Sequence, residues 1–403
     1  MAWRPVMGLI LIFSLVIYEE WVSIPSCKLV PTSTTDLELE LELDHPDDLK
    51  VMLVANLLLL GSESPFFNSN FRDYYLSKFF RKSFESLKPD MLLVLGDVSA
   101  KGSELTRSKW VSVLHQFHGL LGPFIGLPYH VILGDRDIGE CSELNVKSVN
   151  WMASNFPGLD SAGCGAFEII NISFVSLNAV ALLCGNNNLR FGVEKVVERE
   201  SVDLQMETEG AAEVMNTASK LRETDHNFGW KESSVSSGSG PVLLLHFPLY
   251  QAVDCNCSGF NAFKRTLKHS LESSNMLGSR RLVETGPYKL SQTLPRNATE
   301  YIFQALKPRI VFSAHTHEFC DQLHSDGTRE VSVPAMTWNA RDDPGFVVAT
   351  FHRNRRAVST SQQFGSYRLE QGDDRPIFAS KNLFKQASQR NLESNLHARE
   401  FVR

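Results

Sequence analysis

Aspartate, asparagine and histidine recur in this 403-residue chain in short clusters whose side chains carry the donor atoms of divalent-ion ligands. The clusters are Ala55-Asn56-Leu57-Leu58, Gly96-Asp97-Val98-Ser99-Ala100, Gly134-Asp135-Arg136-Asp137, His246-Phe247-Pro248-Leu249-Tyr250 and Ala314-His315-Thr316-His317. Carboxylate and amide oxygens combined with imidazole nitrogens suit zinc, manganese or iron. Where a carboxylate bridges two such ions, roughly 3.5–4 Å apart, hydroxide can attack phosphorus in line. Arginine adds a planar fork that matches phosphate. Each cluster alone has a plain structural use, since Asp beside Gly serves turns and helix caps. Together they lie between positions 56 and 317, so only a fold that gathers distant strand ends could assemble them.

The elements needed for that gathering are legible. Short apolar runs, as in strands covered on both faces, occupy Lys50–Ala55, Met91–Leu95, Tyr129–Leu133, Ile172–Leu177, Val242–Leu245 and Arg309–Phe312. The polar clusters follow such runs, the place where α/β sheets put ligands. Helical patterns over Tyr75–Leu87 and Leu105–Phe117 separate the first three runs, with turns at Pro89-Asp90 and Gly122-Pro123. The expectation is an α/β layered fold.

The ordered set resembles the calcineurin-like metallophosphoesterases, whose pattern is DxH, GDxxD, GNH(D/E), a strand-end His and GHxH. It is more narrowly similar to the metallophosphoesterase 1 group, which includes the GPI-glycan remodelling phosphoesterase and yeast cell-division-cycle-type relatives. LLLHFPLY at 243–250, the Asn256-Cys-Ser258 loop, KPRIVFSAHTH at 307–317 and EVSVPAMTW at 330–338 carry that narrower likeness. The resemblance implies a four-layer α/β/β/α sandwich over residues 49–351. It also implies one or two divalent ions, manganese with zinc or iron as alternatives. Asp97 would bridge both ions, Asp135, His246 and His315 would complete one site, and Asn56, Leu58 and His317 occupy positions of the other. Several residues depart from the pattern: Asn56 and Leu58 replace Asp and His, Ala100 replaces the second Asp of GDxxD, and Asp135 replaces an asparagine. Arg136 stands where the family has the histidine held to protonate the leaving group, and arginine cannot act as a general acid. Arg136 would instead clamp phosphate, with Asp137 orienting it.

The rest of the chain points to the secretory pathway. The apolar run Val6–Tyr18 within residues 1–26 reads as a signal peptide or an uncleaved signal anchor, giving contact with a membrane and placing the remainder in a lumen or outside the cell. Three sequons, at Asn171, Asn256 and Asn297, agree with that exposure. So do seven cysteines without a metal-type CxxC pair. Residues 27–48 read as an acidic spacer, about 194–240 as an insertion with some helix and a Ser/Gly tail, and 352–403 as a polar tail. The C-terminal span and lysine retrieval tail common in metallophosphoesterase 1 relatives do not follow Phe351. A net charge of −6 argues against nucleic acid as a partner. Two functions are expected from these features. The first is a phosphoesterase of the ER or Golgi lumen that hydrolyses a phosphodiester, such as the phosphoethanolamine branch of a GPI glycan, during ER-to-Golgi transport of GPI proteins. The second is a catalytically impaired relative that binds a phosphorylated glycan or lipid-linked group as an adaptor.

Overall fold

Period-two alternation divides the apolar side chains of the central strands between two faces, and that division builds the layers. The fold is a computed structural model that describes residues 30–31, 48–63, 66–184, 188–220, 240–250, 293–337, 340, 344–352 and 358–364, with isolated residues before them. Cys27–Gly365 forms one unit; the other, Met1–Ser26 with Ser366–Arg403, lies almost wholly outside the described residues.

The first sheet contains β1 (Val30–Pro31), β2 (Leu49–Val54), β3 (Met91–Leu95), β4 (Tyr129–Ile132), β11 (Gly345–Phe351) and β12 (Val358–Phe364), in the order β1-β12-β11-β2-β3-β4. The second contains β5 (Gly165–Ile169), β6 (Ile172–Ser176), β7 (Val242–Leu244), β8 (Ile310–Ser313), β9 (Cys320–Leu323) and β10 (Arg329–Ser332), in the order β5-β6-β7-β8-β10-β9. In β2, Val51 and Leu53 face the second sheet, packing in one apolar cluster with Leu93, Phe174, Leu244 and Phe312. Met52 and Val54 face the other way, into a cluster rich in helical side chains. Helix α1 (Phe66–Leu87) covers the first sheet through Phe79 on Phe346, and α2 (Arg107–Leu121) through Phe117 against Tyr129. Helices α6 (Asn188–Lys220) and α7 (Arg296–Leu306) pack together, with Val193, Val197, Ile302 and Leu306 sharing a cluster with Leu243 and Val311 of the second sheet. Three short helices complete the set: α3 (Asp135–Ile138), α4 (Val146–Asn155) and α5 (Ala179–Leu183). The expected α/β/β/α sandwich is what the chain adopts.

Two boundaries differ from expectation. Helix α6 starts at Asn188, ahead of the expected insertion, and buries Leu189, Val193, Val196 and Val197. Their spacing is a helical stripe, so the first turns of that segment are core rather than insertion. The fold also continues past Phe351, because β12 pairs along its whole length with β11 and then with β1. Its sequence, VSTSQQF, is too polar to announce a strand; pairing within the sheet overrides its weak local signal.

Parallel pairing of β2 with β3 and β3 with β4, and of β6 with β7 and β7 with β8, sends the carboxyl ends of these strands in common directions. The loops beyond those ends are stitched together. Ala335 bridges to Ala55 and donates to the His317 carbonyl at 3.2 Å; Met336 donates to the Ala55 carbonyl at 2.9 Å.

A buried histidine sets an acid limit on this core. His130 on β4 is 3% exposed, lies 2.8 Å by Nε2 from Ser176 Oγ, and has its pKa pushed down by burial to about 4. The unfolded chain therefore binds one proton more than the folded chain between about pH 6.5 and pH 4, and stability falls as pH drops through that window. The shift corresponds to about 3 kcal/mol. Urea midpoints measured at pH 7, 6, 5 and 4 should decline, and His130→Gln should flatten that part of the decline.

Candidate metal centre

Five parallel-strand ends converge on one buried pocket of charge. Asn56 follows β2, Asp97 follows β3, Asp135 opens α3 after β4, His246 follows β7 and His315 follows β8. Ligand atoms of Asp135, His246 and His315 lie within 4.8 Å of one another. Asp135 Oδ1 is 3.0 Å from His246 Nε2 and 3.2 Å from His315 Nδ1. Asp97, almost fully buried, sits next to them with Oδ1 3.5 Å from His246 Nε2.

The backbone is bent to present these groups. Asn56, Leu58, Asp97, His315 and His317 all have φ between +51 and +61°. That region is unfavourable for side chains with a Cβ, and for a bulky leucine it is a true strain. Strain concentrated at the ends of ligand-bearing strands shows loops shaped for presentation, including at Leu58, which has no donor to present. Two glycines allow the close approach: a Cβ on Gly96 (φ +84°) would run into the His246 ring, and one on Gly134 into the Asp97 carboxylate.

His246 is oriented as an ion ligand would be. Its Nδ1 is 2.7 Å from the Leu95 carbonyl, which can only accept, so Nδ1 carries the proton and Nε2 is aimed at Asp135 and Asp97. Burial alone disfavours charge on His246, but Asp97 and Asp135 outweigh it and raise its pKa to about 9. Burial lifts Asp97 to about 8, with Asp135 and Asp137 adding to the lift while His246 and Arg136 oppose it. For Asp135, burial is overcome by hydrogen bonds from His246 and His315, which hold it well below the usual carboxylate range. Burial lowers His315, and it lowers His317 to about 4 with help from the Arg136 charge.

The donor set fits a divalent ion. Two imidazoles and a carboxylate converge, a second carboxylate is adjacent, and the Nδ1 of one imidazole is braced by a backbone carbonyl. An independent sign is Asn56, fully buried with neither Oδ1 nor Nδ2 hydrogen-bonded. A buried amide without partners is costly, and its oxygen could serve as a neutral ligand. A second ion site is poor: Leu58 contributes no donor, leaving Asn56, Asp97 and His317.

Asp137 was expected to orient Arg136 and does not. Its carboxylate accepts from the backbone of Ser99 at 2.9 Å, Gly134 at 3.1 Å and Val98 at 3.3 Å, so it laces the β3 loop to the β4 loop from beneath. Burial raises its pKa to about 6. With its carboxylate engaged by three backbone amides, it acts here as a positioning residue. Arg136 turns to Asp97 instead, with Nε 3.5 Å from Oδ2, and its side chain is 45% exposed.

Sequence patterns gave no notice of three supports. The Leu95 carbonyl acts through backbone, which no residue type reports. Phe247 lies under His315 with ring centroids 3.9 Å apart. Glu330, fully buried on β10, receives the Leu249 amide at 3.1 Å, Gln322 Nε2 at 3.0 Å and His324 Nε2 at 2.7 Å, so it holds the loop that begins at His246. Glu330→Ala would leave those donors buried without an acceptor and should cost about 3 kcal/mol, read as a lower urea midpoint.

Of the expected glycosylation positions, Asn171 stands exposed at the β5–β6 turn and Asn297 is exposed in the first turn of α7; Asn256 lies outside the described residues. Cys141 is bonded to Cys184, and Cys320 is also disulfide-bonded. Cys164 is a buried free thiol. Among the described residues no helix is long and apolar enough to cross a membrane; nearly all of the run Val6–Tyr18 lies outside them.

Residues 68–319 match the calcineurin-like phosphoesterase family. Metallophosphoesterase 1 of Rattus norvegicus is 26% identical over 324 residues, covering 77% of this chain and 71% of the relative. The Xenopus laevis protein of the same name is 27% identical over 324 residues, covering 78% and 73%. A dimetal phosphatase from Danio rerio, among solved structures, aligns at 12% identity with a TM-score of 0.43 over 79% of this chain and 99% of its own, a likeness too loose to bear on function. The family match spans more than half of the sequence: this chain belongs to the calcineurin-like phosphoesterases.

Proposed function

We propose that this protein is a phosphoesterase of the secretory-pathway lumen that uses one divalent ion, held by Asp97, Asp135, His246 and His315, to hydrolyse a phosphodiester. The convergence of Asp135, His246 and His315 carries the reading. Manganese is the proposed ion, and its oxygen and imidazole donors also suit zinc or iron. When bound, such an ion supplies Lewis acidity toward phosphoryl oxygen and makes water a stronger acid. The chain's own residues do the rest. His246 and His315 direct ring nitrogens at Asp135, which would become ligands on losing their protons; Asp137 keeps the two carboxylate-bearing loops in register, and Phe247 closes one wall beside His315. Arg136, half exposed at the mouth, offers its fork to the non-bridging phosphate oxygens. Arg136 cannot protonate the departing alkoxide, so hydrolysis should depend steeply on how good the leaving group is.

The likeness to metallophosphoesterase 1 supports a phosphoethanolamine-type diester on a GPI glycan or another phosphorylated, lipid-linked glycan as the substrate, and a place in ER-to-Golgi traffic of GPI proteins. The Cys141–Cys184 disulfide supports an oxidising compartment, as does the exposed sequon at Asn171. Delivery there would be the work of the N-terminal apolar run, cleaved or kept as an anchor. A second reading, a phosphoglycan-binding adaptor without turnover, is favoured by one observation: Leu58 stands strained in a ligand position that it cannot serve. Manganese-loaded protein assayed on bis(4-nitrophenyl) phosphate separates the two. A rate well above that of the His246→Ala, His315→Ala double variant is expected. An equal rate would sink the hydrolase reading, and phosphate-dependent thermal stabilisation without turnover would establish the adaptor.

A further inference from the structure

The chain already contains the charge that a second ion would bring. Arg136 follows Asp135 directly; its amide donates to Asp97 Oδ1 at 3.1 Å while its Nε faces Oδ2 at 3.5 Å. Asp97 is thus approached by His246 on one oxygen and by a guanidinium on the other. That guanidinium also bears on His317, the imidazole outside the three-residue cluster. Protein donors for an ion on this side are few: Leu58 has none and Asn56 offers a neutral amide. Charge counting gives the same result. With the ligands deprotonated, as ion binding requires, three aspartates (Asp97, Asp135, Asp137) against one arginine (Arg136) leave a formal charge of −2. One divalent ion neutralises it. A second would leave two uncompensated positive charges among residues that are mostly buried, an arrangement proteins avoid.

We propose that Arg136 is a built-in cation that takes the place of a second metal ion on Asp97, so that the centre is fixed at one ion and the guanidinium passes from Asp97 to the phosphate when a phosphoester arrives. This rests on the one-ion reading above and adds to it the reason that a second ion is excluded.

Titration with manganese alone, followed by calorimetry and electron paramagnetic resonance, tests it without any assay of turnover. The full chain should take up one ion with an uncoupled signal. Arg136→Gln should bind that ion at least about tenfold more tightly, since a nearby like charge and a competitor for Asp97 are both removed. Asn56→Asp with Leu58→His should still hold only one ion firmly; adding Arg136→Gln should admit a second, seen as a spin-coupled pair. Unchanged affinity in Arg136→Gln, or a second ion bound by Asn56→Asp/Leu58→His as tightly as by the triple variant, would overturn the role given to Arg136 and leave the one-ion reading intact. No ion, or two, in the unmodified chain would overturn both. If the triple variant does not fold, the Arg136→Gln arm still decides, because that side chain is 45% exposed and its loss opens no cavity.

Discussion

Replacing His246 with alanine is expected to abolish firm ion binding, reduce any phosphodiesterase rate to background and destabilise the fold. The side chain is fully buried and is the shared neighbour of Asp97 and Asp135, its Nε2 3.5 and 3.0 Å from their carboxylates. Removing it takes away one ligand and leaves two buried carboxylates each with one partner fewer, a change worth about 3 kcal/mol. In a domain of this size that is a fall of roughly 10 °C in Tm. Loss of a primary ligand should weaken manganese affinity by at least about 100-fold, since even outer partners of ligands cost 10- to 100-fold. Calorimetric melts with and without manganese separate the two effects. In the unmodified protein manganese should raise the Tm, and in His246→Ala it should not. A preserved metal-induced shift in that variant would show that the ion sits elsewhere.

The second large effect is a gain. Arg136→His should restore a titratable group at the mouth of the site, where the family pattern has one. General acid catalysis contributes about 100- to 10,000-fold when a poor leaving group must depart. The gain should therefore be largest for diesters of aliphatic alcohols and small for 4-nitrophenol, which needs no proton. The measurement is a plot of log kcat/KM against leaving-group pKa, expected to be steep for the unmodified protein and shallower for Arg136→His. An equal slope in both would mean that position 136 does not face the departing oxygen.

Much of this centre was legible because the chemistry sits at strand ends, and strands buried on both faces declare themselves through unbroken apolar runs. Met91–Leu95 and Val242–Leu244 are of this kind, and Asp97 and His246 follow them. The silent strands are those whose partners supply the stability. In β9 and β10, Asp321 and Arg329 pair across the ladder and Glu330 is buried by three donors, so polar residues fill a sheet that propensity alone would not place. The β5 strand, Gly165–Ile169, exposes alternate residues and depends on its hairpin with β6. At the site, residue types were readable and roles only in part. Asp137 looks in sequence like the partner of the residue beside it, but three backbone amides, from Val98, Ser99 and Gly134, claim its carboxylate. Arg136, freed from Asp137, pairs with Asp97 across the loop, a contact between positions 39 residues apart that no local pattern encodes.

Leu58 carries a consequence for the engineering of this chain. Its left-handed backbone, like that of Asn56, is held by amide hydrogen bonds to the carbonyls of Asp97 and Gly96, and owes nothing to a ligand role of its side chain. An experimenter need not rebuild it to try for a two-ion centre, because the backbone that would present ligands at positions 56 and 58 is already in place. Three substitutions, at positions 56, 58 and 136, are all that separate this loop set from a different chemistry.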